Sequence, residues 1–158
     1  MAVIGQHPQS LPGLRKKIKH VSAAYTVDVA QNGYIFMITD PGDAGYTIEV
    51  PSASDAGAGW YCRFVNAEFG AVPGTLATHS SDDVLINPAS EDNNLFGVFI
   101  NGGNNNAAGV DNGSGDPATT IGFDNTSVHG DFIEIWSDGT QWFVKGQTAV
   151  NGGILLAG

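Results

Sequence analysis

The sequence predicts an all-β fold, and three observations carry that prediction. Glycine is abundant, at 22 of 158 residues, while charged residues make up only 14%. The apolar runs are short and are separated by clusters of Gly, Asn, Asp and Ser, which is the chemistry of turns. Two Asx-Gly pairs, Asn32-Gly33 and Asp138-Gly139, each lie between alternating apolar runs, the pattern of a two-residue hairpin. At 42% hydrophobic, the chain has enough length and apolar content for one domain with its own core.

The elements follow in order. Residues 1–20 read as a basic extended arm, because Pro8, Pro12 and Gly13 break any helix that could start there. The stretch LRKKIKH has room for no more than a short helical turn. The body, 21–158, opens with YTVDVAQNGYIFMIT. With Asn32-Gly33 as its turn, 29 faces 36 and 27 faces 38, so Val27, Val29, Phe36 and Ile38 share an apolar face. A turn at 40–45 leads to a strand at YTIEV, ended by Pro51, and SASDAGAG is a small-residue loop. WYCRFVN (60–66), 83–87, 95–100 and, more weakly, 120–123 are further strands. Residues 101–117 lack apolar periodicity and read as a long exposed loop.

The stretch GDFIEIWSDGTQWFVKG is the second hairpin. With Asp138-Gly139 as its loop, 135 faces 142 and 133 faces 144. Ile133, Ile135, Trp142 and Val144 then form a core face. The opposite face pairs Phe132 with Lys145, Glu134 with Phe143 and Trp136 with Gln141. Phe132, Trp136 and Phe143 make that face too apolar for open water. A second sheet, a neighbouring subunit or a flat ligand such as a sugar ring would each cover it.

Charge is unevenly spread over the net −10. Arg15, Lys16, Lys17 and Lys19 are four of the six basic residues, and all sixteen acids lie from Asp28 onward. A basic arm on an acidic body suggests contact with something acidic: nucleic acid, a protein surface or a neighbouring subunit. The acidic body itself should repel nucleic acid. The single cysteine, Cys62, sits in an apolar run and reads as a core residue. The start MAVIGQHPQS has no secretory pattern, and no apolar run approaches membrane-span length, so no membrane partner is expected.

The order YTVDVAQNGYIFMIT, YTIEVPSASDAGAGWYCRFVNA, DVLINPAS and GDFIEIWSDGTQWFVKG resembles a module of bacteriophage virion proteins, over about residues 25–146. That module occurs in tail-fibre and tailspike proteins and in small capsid-surface proteins. The resemblance implies an antiparallel β-sandwich or jelly roll, commonly a homotrimer, with a structural or adhesive role and no catalytic residues. Fibre proteins are commonly long, whereas this is one module with a basic arm. That departure favours a capsid decoration (cement) protein, made in the host cytoplasm and bound to the major capsid protein on the virion exterior. Arg15, Lys16, Lys17 and Lys19 would then be the anchor. The alternative is a receptor-binding or structural module of a tail fibre or tailspike, with Phe132, Trp136 and Phe143, or the Asn-rich loop at 101–117, meeting a host glycan.

No catalytic or cofactor motif stands out. His7, His20, His79 and His129 have no zinc-ligand spacing, and HSSDD reads as a polar loop. DNGSGDP offers Asp111 and Asp116 to calcium but lacks the other ligands at loop spacing. Asn112 and Asn125 match the glycosylation pattern by chance. No enzyme, metal or cofactor is therefore expected.

Overall fold

The computed structural model describes residues 16–39, 45–67, 84–88, 95–101, 106–109, 120–124 and 126–157. Within them most residues are in strands and very few are in helix. The strands are β1 (Ile18–Val21), β2 (Tyr25–Thr26), β3 (Ile35–Ile38), β4 (Tyr46–Val50), β5 (Ala58–Asn66) and β6 (Val84–Pro88). There follow β7 (Leu95–Asn101), β8 (Asn106–Gly109), β9 (Thr120–Phe123), β10 (Phe132–Asp138), β11 (Trp142–Thr148) and β12 (Ile154–Ala157). One helical turn, α1 (Ala53–Ala56), lies in the loop expected after Pro51, with Ser52 as its N-cap.

Two sheets form. The larger runs β1-β3-β5-β10-β11-β7-β8 and the smaller β12-β9-β6-β4-β2. Both are mixed, which corrects the expectation of purely antiparallel sheets. The pairs β1–β3, β3–β5, β2–β4, β4–β6 and β7–β11 are parallel. The reason is topological. From β1 to β7 the chain alternates strictly between the sheets, so each return to a sheet runs in the same direction as the strand before. Both sheets contribute to one buried cluster. Phe36, Ile38, Trp60, Cys62, Phe64, Ile133, Ile135, Trp142 and Val144 come from the larger, and Ile48, Val50, Ile86, Ile121, Phe123 and Ile154 from the smaller.

The first expected hairpin does not exist. β2 and β3 lie in different sheets. Asp28 caps a 3-10 turn at Val29–Gln31: its Oδ1 accepts from Ala30 N at 2.7 Å, and Gln31 Oε1 accepts from Asp28 N at 2.8 Å. This capping box closes a turn where the hairpin reading placed strand. Asn32-Gly33 instead docks on β5. Asn32 Oδ1 accepts from Tyr61 N at 3.0 Å, and Gly33 N donates to Tyr61 O at 2.6 Å. Val27, Phe36 and Ile38 are buried as expected, but Val29 is 42% exposed.

The second hairpin forms between β10 and β11, and its core face of Ile133, Ile135, Trp142 and Val144 is buried. Its register differs by two residues from the one expected: Ile135 pairs with Val144 and Trp136 with Phe143. Gly139 and Thr140 are the central residues, with Gly139 at φ 92°. Asp138 Oδ1 accepts from Thr140 N and Gln141 N, both at 2.8 Å, and Ser137 Oγ accepts from Gly139 N at 2.9 Å. Those bonds hold the loop one position later than the Asp-Gly rule places it.

Three further elements differ from expectation. Ile18–His20, from the stretch expected as arm, pair with β3. β8 lies within the expected loop, held by backbone pairing that periodicity does not reveal. β12 pairs with β9 without having been expected. Residues 1–15, HSSDD, Asp111, Asn112, Asp116 and Asn125 lie outside the described residues.

Candidate functional site

Strand alternation puts every second side chain of the larger sheet on its outer face. Cross-strand register then lines these side chains into rows. Tyr61 of β5 pairs with Trp136 of β10, Trp136 with Phe143 of β11, and Phe143 with Phe96 of β7. Four aromatic residues thus cross four adjacent strands, a strip of roughly 14 Å at ~4.8 Å per strand. Trp136 and Phe143 stack at 6.1 Å and 17°, and Phe96 tilts against Phe143 at 6.1 Å. Trp136 is 37% and Phe96 36% exposed.

The next row is charged. Arg63, Glu134 and Lys145 pair in register across β5, β10 and β11. Arg63 Nη1 lies 3.5 Å from Glu134 Oε1, and Lys145 Nζ 3.7 Å from Oε2. Tyr61 Oη donates to Glu134 Oε1 at 3.0 Å. Burial, this hydrogen bond and the carboxylate's charge push the Tyr61 phenol from 10.0 up to about 12.

The third row carries Phe132, paired with Val65 and Gln147. The Arg63 guanidinium lies 3.9 Å from the Phe132 ring centre, and its buried Nε has no hydrogen-bond partner among the described residues. Beside this contact opens a cleft of about 370 Å³, lined by Arg63, His129, Gly130, Phe132 and Gln147 among others. Its floor is rigid, because the buried Asp131 carboxylate accepts from Ser127 Oγ, Val128 N, Thr148 Oγ1 and Ala149 N.

The sequence-derived residues divide as follows. Trp136 and Phe143 come together, whereas Phe132 lies four residues from Trp136 along β10, with Glu134 between. Arg15 lies outside the described residues. Lys16, Lys17 and Lys19 sit on the protein's own tyrosines: Nζ is 4.5 Å from the Tyr61 ring centre, 5.2 Å from Tyr34 and 4.6 Å from Tyr25. Each such contact is worth ~0.5–1 kcal/mol at an exposed site. Tyr61, Phe96 and Arg63 carry no site signal in the sequence, and Lys145, expected on this face opposite Phe132, lies opposite Glu134. Alternation in WYCRFVN places Tyr61 and Arg63 on one face, but only the strand order brings them beside Trp136 and Glu134. Cys62 is fully buried on the other face, and burial pushes its thiol well up, which marks it as core.

No protein-family model, no curated protein and no solved structure matches the chain.

Proposed function

We propose that this chain is a structural virion protein, a β-sandwich of the capsid-decoration class that binds the major capsid protein on the capsid exterior. One observation carries the reading: Lys16, Lys17 and Lys19 form a basic edge on a chain of net charge −10. Their seats on Tyr61, Tyr34 and Tyr25 hold the ammonium groups in place before a partner arrives, which lowers the ordering entropy of docking. An acidic lattice is the complementary partner. Assembly as a homotrimer would multiply these contacts, and several weak ones then act as one.

The test is stoichiometric binding to capsids that lack this protein. Saturation at a fixed number of copies per lattice position, lost at high salt and in a Lys16→Gln/Lys17→Gln/Lys19→Gln variant, is the expected result. Absence of binding refutes it.

A second reading, a receptor-binding module of a tail fibre, is favoured by the exposed Trp136 and Phe96 of the aromatic strip. Protein that binds host cells but not capsids would support it.

A further inference from the structure

The outer face of the larger sheet differs in charge from the rest of the molecule. Among its described residues, Lys16, Arg63 and Lys145 stand against two carboxylates, Glu134 and Asp138, in a chain of net charge −10. Asp138, at the strand end, turns its carboxylate into the hairpin loop. Two residues along the strands, ~7 Å away, runs the aromatic strip. The strip is narrow. About a third of Trp136 and of Phe96 is exposed, ~70 Å² each if such side chains offer 150–250 Å². A stable protein interface needs about 800 Å² per partner. The strip alone is therefore too small for a stable protein interface, but its flat rings beside basic side chains suit sugar rings that carry negative charge.

We infer that this face binds an acidic polysaccharide, a chain of carboxylated pyranose rings. Rings stack along Trp136, Phe143 and Phe96, as sugar C–H faces do on aromatic planes. Their carboxylates meet Lys145 and Arg63, the guanidinium offering planar bidentate geometry. The cleft beside Phe132 takes a terminal ring, with the Gln147 amide available to hydroxyls and Arg63 at its wall. This rests on the second, receptor-binding reading and names its ligand class; binding to host cells without binding to the acidic sugar would sink it and leave that reading standing.

The experiment titrates the full chain with oligogalacturonates. Trp60 and Trp142 are buried, so the emission change reports Trp136. Saturable binding, at least tenfold tighter than to a neutral oligosaccharide of equal length, is expected. Lys145→Gln should weaken it about fivefold; its side chain is 61% exposed, so the fold is not at risk. Trp136→Ala, followed by calorimetry, should abolish it. Three results overturn the inference: no saturable binding, equal affinity for the neutral sugar, or equal affinity for polyglutamate or single-stranded DNA. The last would mean that the face reads charge alone.

Discussion

Asp131 offers the sharpest test of how the site's floor is built. It is 4% exposed, and its carboxylate accepts four hydrogen bonds. Oδ2 takes Ser127 Oγ at 3.0 Å, Val128 N at 2.8 Å and Thr148 Oγ1 at 2.9 Å, and Oδ1 takes Ala149 N at 2.8 Å. Ser127 Oγ in turn accepts from Asn66 Nδ2 at 3.1 Å, which ties in the end of β5. Asp131→Ala removes every acceptor at once. The hydroxyls can rotate toward other partners, and the amide of exposed Ala149 can reach water. The amide of buried Val128 can do neither, so it bears the full desolvation penalty of about 1–3 kcal/mol. Adding the loss of charge-assisted bonds at ~1.5 kcal/mol or more gives about 3–5 kcal/mol. For a domain of this size that is a fall in Tm of roughly 6–20 °C. Asp124 is the control. Its Oδ1 accepts from Thr126 N at 2.8 Å and Thr126 Oγ1 at 2.7 Å, but at a more open site. Asp124→Ala should lose no more than ~1 kcal/mol. Urea unfolding followed by tryptophan emission measures both variants. Equal losses, or less than 1 kcal/mol for Asp131→Ala, would refute the argument that buried acceptor geometry sets the difference.

Four other outcomes are expected. Trp60 Nε1 donates to Val29 O at 2.8 Å, whereas the buried Trp142 Nε1 has no partner among the described residues. Trp60→Phe should therefore destabilise by about 1 kcal/mol more than Trp142→Phe in chemical denaturation. The Tyr61 phenol, raised from 10.0 to about 12, should ionise well above the ordinary tyrosine range in an alkaline absorbance titration. Its contribution to stability is whole below pH 10 and is lost as pH rises through 12, and Glu134→Gln should bring that midpoint down. Amide bonds from Gln141 and Thr140 lower the Asp138 carboxyl below 3.8, so its support of the hairpin is present above that pH and is lost as pH falls through the lower, folded value. A Trp136 emission change in acid that is absent in Asp138→Asn would show it. Gly97 sits at φ 152°, where an added Cβ would strike the Val144 carbonyl. Gly97→Ala should cost about 1–3 kcal/mol in a thermal melt and separate β7 from β11.

How much of this was legible beforehand depended on the range of the physics involved. Side-chain alternation is local, so the core residues of β5, β10 and β11 were readable from the chain. The hairpin at Asn32-Gly33 failed because two local signals competed. Asp28 and Gln31 form the D-x-x-Q spacing of a capping box, directly before the Asn-Gly pair. That signal is present in the sequence, and its hydrogen bonds close the turn before the Asn-Gly pair is reached. Which strands lie side by side is non-local. β7 reaches β11 only after the chain has crossed between sheets, so Phe96 could not be placed beside Phe143 from spacing.

The register of the second hairpin shows why the core was easier to read than the face. A slip of two residues leaves every side chain on its own side of the sheet, so Ile133, Ile135, Trp142 and Val144 are buried in either register. Partner identity changes completely. In the expected register Trp136 meets Gln141 and Glu134 meets Phe143, a pairing with neither ring stack nor ion pair across β10 and β11. In the observed one Trp136 stacks on Phe143 and Glu134 lies against Lys145. Cross-strand pairs of these kinds contribute ~0.2–1 kcal/mol each, so the outer face itself favours the register that the Asp138 and Ser137 side chains hold at the turn. The aromatic strip is thus both a consequence of the register and one of its causes, and it bears on folding as well as on binding.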